Sequence, residues 1–115
     1  MSLDEPCLFC GIAAGTVPAA VVYRGPEVLA FRDIHPQAPV HLLVVPRRHW
    51  SGLDDPALPA EALGRLLQVA RTLAGEEGLG AGYRVVINTG ADGGQTVGHL
   101  HLHVLGGRPL AWPPG

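Results

Sequence analysis

The segment Gly98-His99-Leu100-His101-Leu102-His103-Val104-Leu105-Gly106 constrains this chain more than any other. Three histidines recur at every second residue, with Leu100, Leu102 and Val104 between them. Successive side chains of a strand point to opposite faces, so the alternation predicts a strand with one apolar face and one imidazole face. Neighbouring imidazoles would stand ~6.6 Å apart along it. A helix would scatter the same residues around its axis. Imidazole changes charge near neutral pH, attacks electrophiles and ligates metals. Three of the chain's six histidines, in phase on one face, therefore mark a site rather than a half-exposed strand that happens to be rich in histidine.

The rest of the chain reads as elements that surround this strand. Residues 7 to 15 predict a short helix or turn closed by Gly15, followed by a loop at Pro18. Val21 to Arg24 and Val28 to Asp33 predict strands joined by a hairpin turn at Gly25-Pro26. The proline-rich run from Ile34 to Pro39 is a loop. His41 to Pro46 is apolar almost throughout, which predicts a central strand covered on both faces. One long helix is expected from about Pro59 to Glu77, with Leu63, Leu66, Leu67, Ala70 and Leu73/Ala74 as its apolar stripe. Asp54 and Asp55 are candidate caps and Gly78 a stop. Gly78-Leu-Gly-Ala-Gly82 has no strand before it and no helix after it, so it is a connection rather than a dinucleotide loop. Tyr83 to Asn88 predicts a strand, and a glycine-rich loop, Thr89 to Thr96, leads into the histidines. The sum is an α+β fold, a five-stranded and mainly antiparallel sheet with one long and one short helix, in a single domain over residues 1–115.

Composition removes several classes of function. An apolar fraction of 47% against 16% charged predicts a soluble globule, and no apolar run is long enough to span a membrane. The acidic start, Met1 to Pro6, lacks the pattern of a signal peptide, so a cytoplasmic location is expected. A net charge of −2 without any basic block argues against nucleic acid as partner. Every basic residue is Arg, which excludes lysine Schiff-base and P-loop lysine chemistry.

Cys7 and Cys10 are the only cysteines. Too few residues precede them for the strand that a thioredoxin-type motif needs, so half a zinc site is the better reading, provided two further ligands exist. A cupin-type metal site using His101 and His103 needs a Glu soon after the pair, and none follows.

These segments resemble the histidine-triad (HIT) family, whose signature alternates histidine with apolar residues and matches His99 to Leu105 at every position. Phe31-Arg-Asp-Ile-His-Pro-Gln-Ala-Pro-Val-His41, Val45-Pro-Arg-Arg-His49 and Asp92-Gly-Gly-Gln-Thr96 are similar to family segments in their usual order. The ending, Gly106 to Gly115, is similar to the Hint branch, the purine-nucleotide phosphoramidases. The resemblance covers nearly the whole chain.

The resemblance implies a hydrolase that cleaves the P–N bond of adenosine phosphoramidates through a nucleotidyl-histidine and releases AMP. His101 would be the nucleophile, and His103 would bond a phosphate oxygen. His41, on the neighbouring strand, would relay a proton or else be a satisfied half-buried histidine. With His99 these make the catalytic set. Asp33 would hold the ribose, and Phe9, Ile12, Phe31 and Ile34 would wall the base or simply belong to the core. Asn88 would fix phosphate or ribose unless it is only a turn former. Gly94, Thr96 and Val97 would make an anion nest. The family carries Ser where Thr96 stands, so a methyl group is added beside the leaving group. Relatives of galactose-phosphate uridylyltransferase type imply that His49 and His99 complete a structural zinc site with Cys7 and Cys10; Hint proteins that lack the cysteines imply instead two hydrogen-bonded histidines, and no cofactor is required for the chemistry. The Hint branch further implies a homodimer with one continuous sheet, and Trp112 near the partner's site. The rival readings are a dinucleoside polyphosphate hydrolase and a nucleotide-binding scaffold without turnover.

Overall fold

The structure is a computed structural model that describes residues 7–115; the acidic start, Met1 to Pro6, lies outside the described residues. Its elements are α1 (Leu8–Ala14), β1 (Val21–Arg24), β2 (Val28–Arg32), β3 (Val40–Pro46), α2 (Ala60–Glu76), β4 (Tyr83–Val86) and β5 (Leu102–Gly106). The strands form one antiparallel sheet in the order β1-β2-β3-β5-β4. This is the α+β architecture expected. The apolar strand from Val40 is its centre, and it is buried along almost its whole length.

Strand alternation divides the core in two. Val28, Ala30, Leu42, Val44, Leu102 and Val104 share the face that packs under α2, against Leu66, Val69, Ala70, Leu73 and Ala74. Leu29, Phe31, Leu43 and Val45 point the other way and pack with Phe9 and Ile12 of α1. His41 pairs with Leu105, and Leu43 with His103, so the histidines of β3 and β5 lie on the α1 face. Leu100, Leu102 and Val104 face α2. The alternation read from the sequence thus sorts helix core from site.

Three local expectations need correction. The strand was expected to begin at His99, and it begins at Leu102. Continuing the ladder past the Val44–Leu102 pair would bring Pro46 opposite Leu100, and Pro46 has no N–H to give. Its carbonyl is already taken by the His99 ring, at 2.9 Å. His99 to His101 therefore runs outside the ladder, leaving a bend over Val97 to His99 before the strand starts. On α2, Val69 is buried in place of Leu67, which is 43% exposed; the stripe centres on Leu66, Ala70 and Leu73 and leaves Leu67 on its flank. The helix begins at Pro59 without a side-chain cap. Asp55 instead closes the preceding turn, accepting from the Ser51 and Ala57 amides, each at 2.9 Å. Gly78 does stop the helix, at φ +75°, a conformation that glycine adopts without strain.

Candidate active site

Hydrogen bonds to the backbone fix the tautomers of three histidines, because a carbonyl can only accept and an amide can only donate, and one of these fixes a fourth. His101 Nδ1 stands 2.7 Å from the His99 carbonyl oxygen, so it carries the hydrogen and leaves Nε2 with a lone pair. His41 Nδ1 accepts from the Gln37 amide at 3.0 Å, so its hydrogen is on Nε2. That N–H donates to His103 Nδ1 at 2.9 Å, which puts the His103 hydrogen on Nε2. His99 Nε2 donates to the Pro46 carbonyl and presents Nδ1 as a lone pair. His101 thus presents an Nε2 lone pair and His103 an Nε2–H.

Burial keeps these rings neutral, since a charged imidazole loses its hydration on entering the fold. It pushes the His101 pKa below the ordinary histidine value, against opposing pulls from the His99 carbonyl and Asp33. His103 falls to about 4, through burial first and then its histidine neighbours. His41 is also lowered by burial, and Asp33 opposes the shift. The His101 and His103 rings lie 5.1 Å apart, and His41 the same distance from His103. Asp33 Oδ2 is 3.5 Å from His41 Nε2, and its Oδ1 accepts from the His35 amide at 2.8 Å. Asp33, His41 and His103 are close enough to suggest a metal site. The Gln37 amide occupies His41 Nδ1, however, and the one hydrogen on His41 Nε2 goes to His103, so the two rings form a hydrogen-bonded pair beside Asp33.

The other residues expected near a nucleotide are spread around this centre. Phe9, Ile12 and Phe31 are buried beneath it, with Phe9 edge-on to His101 at 5.1 Å. Ile34 is 84% exposed at the rim. Gly94 and Thr96 are exposed, and Val97 is half-buried against the α1 core. Asn88 donates to the Gly93 carbonyl at 2.7 Å and so braces the glycine-rich loop. A Cβ on Gly93 would collide with the Thr89 carbonyl, so the loop's tight path requires glycine there. Trp112 is 85% exposed, and Arg84 holds the tail through the Ala111 and Pro114 carbonyls, at 2.7 and 3.2 Å. A cavity of about 650 Å³ between Leu79, Tyr83, Arg84 and Arg108 is lined by none of the triad.

Sequence reasoning missed three supports. Gln95 donates to the Ser51 and Val97 carbonyls and accepts from the Gly90 amide, pinning the loop at both ends. The Gln37 amide sets the His41 tautomer, and the Pro46 carbonyl sets that of His99. Gln95 stood out as the one amide side chain in a glycine-rich run; backbone donors leave no signal in a sequence.

The two cysteines meet His49 and His99, and the four ligand atoms lie within 4.8 Å of one another. Cys7 Sγ is 3.3 Å from His99 Nδ1, Cys10 Sγ is 3.3 Å from His49 Nδ1, and the two Nδ1 atoms are 3.2 Å apart. Zinc bonds of about 2.0–2.1 Å to nitrogen and 2.3 Å to sulfur give tetrahedral edges of roughly 3.4–3.8 Å, close to these separations. Burial, reinforced by Cys7, pushes the Cys10 thiol up to about 11, so a cation is what would draw out the thiolate. The donor set fits zinc.

A family profile described as the HIT domain matches residues 14–110. The chain is similar to a 14 kDa zinc-binding protein of Zea mays, 50% identical over 97% of this chain and 90% of that one. It is similar also to the adenylylsulfatase HINT1 of Arabidopsis thaliana, 46% identical over 97% of this chain and 78% of that one. Among solved structures it resembles a HIT family hydrolase from Legionella pneumophila, with a TM-score of 0.90 and 50% identity over 95% of this chain and 99% of that one.

Proposed function

Because this chain belongs to the HIT domain family, on its Hint branch, and is a hydrolase of that family, we propose that it cleaves AMP from purine nucleoside phosphoramidates. The observation that carries this reading is the pair of opposed tautomers, a neutral Nε2 lone pair on His101 beside an Nε2–H on His103. His101 Nε2 attacks the α-phosphorus, a bond forms between them, and the P–N bond breaks. The leaving nitrogen takes the electron pair and a proton that solvent supplies, with the His41–His103 pair as the route, taking up one proton from water as it gives one. The His103 Nε2–H and the amides around Gly94, Thr96 and Val97 bond the phosphate oxygens as charge builds there. Water then attacks the same phosphorus and loses a proton to solvent, His101 departs with its electron pair, and AMP is released. Asp33 binds the ribose hydroxyls, and Phe9, Phe31 and Ile34 border the base.

The name of the Arabidopsis relative points to adenylyl sulfate as a second substrate. The same attack serves it, with sulfate as a leaving group that needs no proton. Zinc at Cys7, Cys10, His49 and His99 is structural, since four protein ligands leave no open position. Free cysteines fit a reducing compartment, and cytoplasm is our reading; among the described residues no helix is long and apolar enough to cross a membrane. A homodimer accounts for Leu67, Tyr83 and Trp112, which are 43, 42 and 85% exposed.

The test is turnover of an adenosine phosphoramidate bearing a fluorescent amine, by the native protein and by His101→Ala. Release abolished by the substitution supports the reading. Equal release by both contradicts it.

A further inference from the structure

His99 belongs to two arrangements at once. Its fully buried ring presents Nδ1 to Cys7, Cys10 and His49, and its carbonyl receives the Nδ1–H of His101. The His99 ring also donates to the Pro46 carbonyl, and the Gln95 side chain to the Val97 carbonyl. Residues 97 to 101 lie outside the sheet, and the bond from the Leu100 amide to the Trp50 carbonyl, 2.7 Å, ties them to the rest of the chain. Trp50 follows His49 directly, so that tie leads back to the same cluster of ligands.

The α1 side repeats the connection. Cys7 caps the helix, accepting at its sulfur from the Cys10 amide at 3.3 Å. Phe9, between the two cysteines, packs edge-on against both His99 and His101, at 5.8 and 5.1 Å. The two sulfurs, the helix start, Phe9 and the His99 backbone thus form one mechanical unit, and the nucleophile rests on it.

We propose that the Cys7–Cys10–His49–His99 centre positions the nucleophile: a zinc ion tying its four ligands holds the His99 carbonyl where it fixes His101 with the lone pair on Nε2. This rests on the metal reading above and adds a role that a merely structural ion does not have. His99 is then a positioning residue, acting through His101 without touching the substrate, and Phe9 braces both rings. Released from the centre, His99 shifts, the bond to His101 Nδ1 loosens, and the ring populates both tautomers. Small displacements of a reacting group cost rate far more than binding, so kcat falls while KM holds.

The test uses the whole chain, isotopically labelled at histidine nitrogen, with zinc loaded and after removal by a chelator. Long-range nitrogen–proton NMR reads the His101 tautomer, independently of any activity, and steady-state kinetics reads kcat and KM. Stripping should turn a single Nδ1–H signature into an average of tautomers and lower kcat by about 10–100-fold, with KM changed less than about twofold. Readdition of zinc should restore both. Should the stripped protein unfold, cadmium in place of zinc keeps the centre filled with a larger ion and should shift the His101 Nδ1–H resonance. A protein that binds and releases zinc with no change at His101, or whose His101 resonance ignores the metal, overturns the proposal and leaves the metal site standing. A protein that takes up no zinc overturns both.

Discussion

The Nε2–H of His41 donates to His103 Nδ1 across 2.9 Å, joining the central strand to the histidine strand through their side chains. This bond dictates which nitrogen of His103 carries the hydrogen facing the phosphate. His41→Ala removes the donor and frees His103 to turn its lone pair outward. The expected loss in kcat is about 10²-fold, the lower range for a proton-transfer group. It should be larger for a basic amine leaving group than for sulfate, and His41→Gln should recover part of it. Kinetics on both substrate types decide, and equal losses on the two remove His41 from proton delivery.

Burial of neutral histidines makes folding pH-dependent in the acid range. His103 and His41 have folded pKa values below the ordinary 6.5, with His103 at about 4. The unfolded chain therefore binds protons first as pH falls, and stability declines from about pH 6.5 toward pH 4. Urea midpoints should drop across that window, and His103→Gln should flatten the drop. An unchanged slope in the variant contradicts the assignment.

The glycine-rich loop is held by Gln95, whose amide makes three hydrogen bonds. Gln95→Ala should cost about 1–3 kcal/mol in stability at roughly 1 kcal/mol per bond, and weaken nucleotide binding as the loop loosens. Calorimetry with AMP against the native protein measures it. Native affinity in the variant would detach the loop from the phosphate.

Leu67 on α2 and Tyr83 on the edge strand β4 are large apolar residues left in solvent in one chain. A homodimer burying them should give a dimeric mass by light scattering at micromolar concentration, and Leu67→Glu should shift it to monomer. A monomeric mass for the native protein refutes the dimer.

The sheet and its central strand were legible because a period of two and a long apolar run survive in sequence. The division of β5 into a core face and a histidine face was equally legible. The exit of His99 to His101 from the ladder was not, because it depends on Pro46 of another strand, whose missing N–H ends a ladder that sequence alone cannot align. Leu67 and Val69 were exchanged because neighbouring stripe positions differ by a rotation of the helix that only tertiary packing sets. The C-x-x-C pair announced half a metal site from residue types, but its meeting with His49 and His99 came from resemblance, since those ligands arrive from distant parts of the chain. Tautomers were wholly hidden, because carbonyl and amide partners belong to the backbone that every sequence shares.

The proposed reaction passes through a covalent bond between His101 Nε2 and the α-phosphorus of the nucleotide. Rapid-quench mass spectrometry of the native protein mixed with an adenosine phosphoramidate, followed by peptide mapping, looks for it. The prediction is an AMP adduct on the peptide carrying His101, formed and lost at rates that match turnover. AMP released at the full rate with no adduct, or with the adduct on another residue, would contradict it.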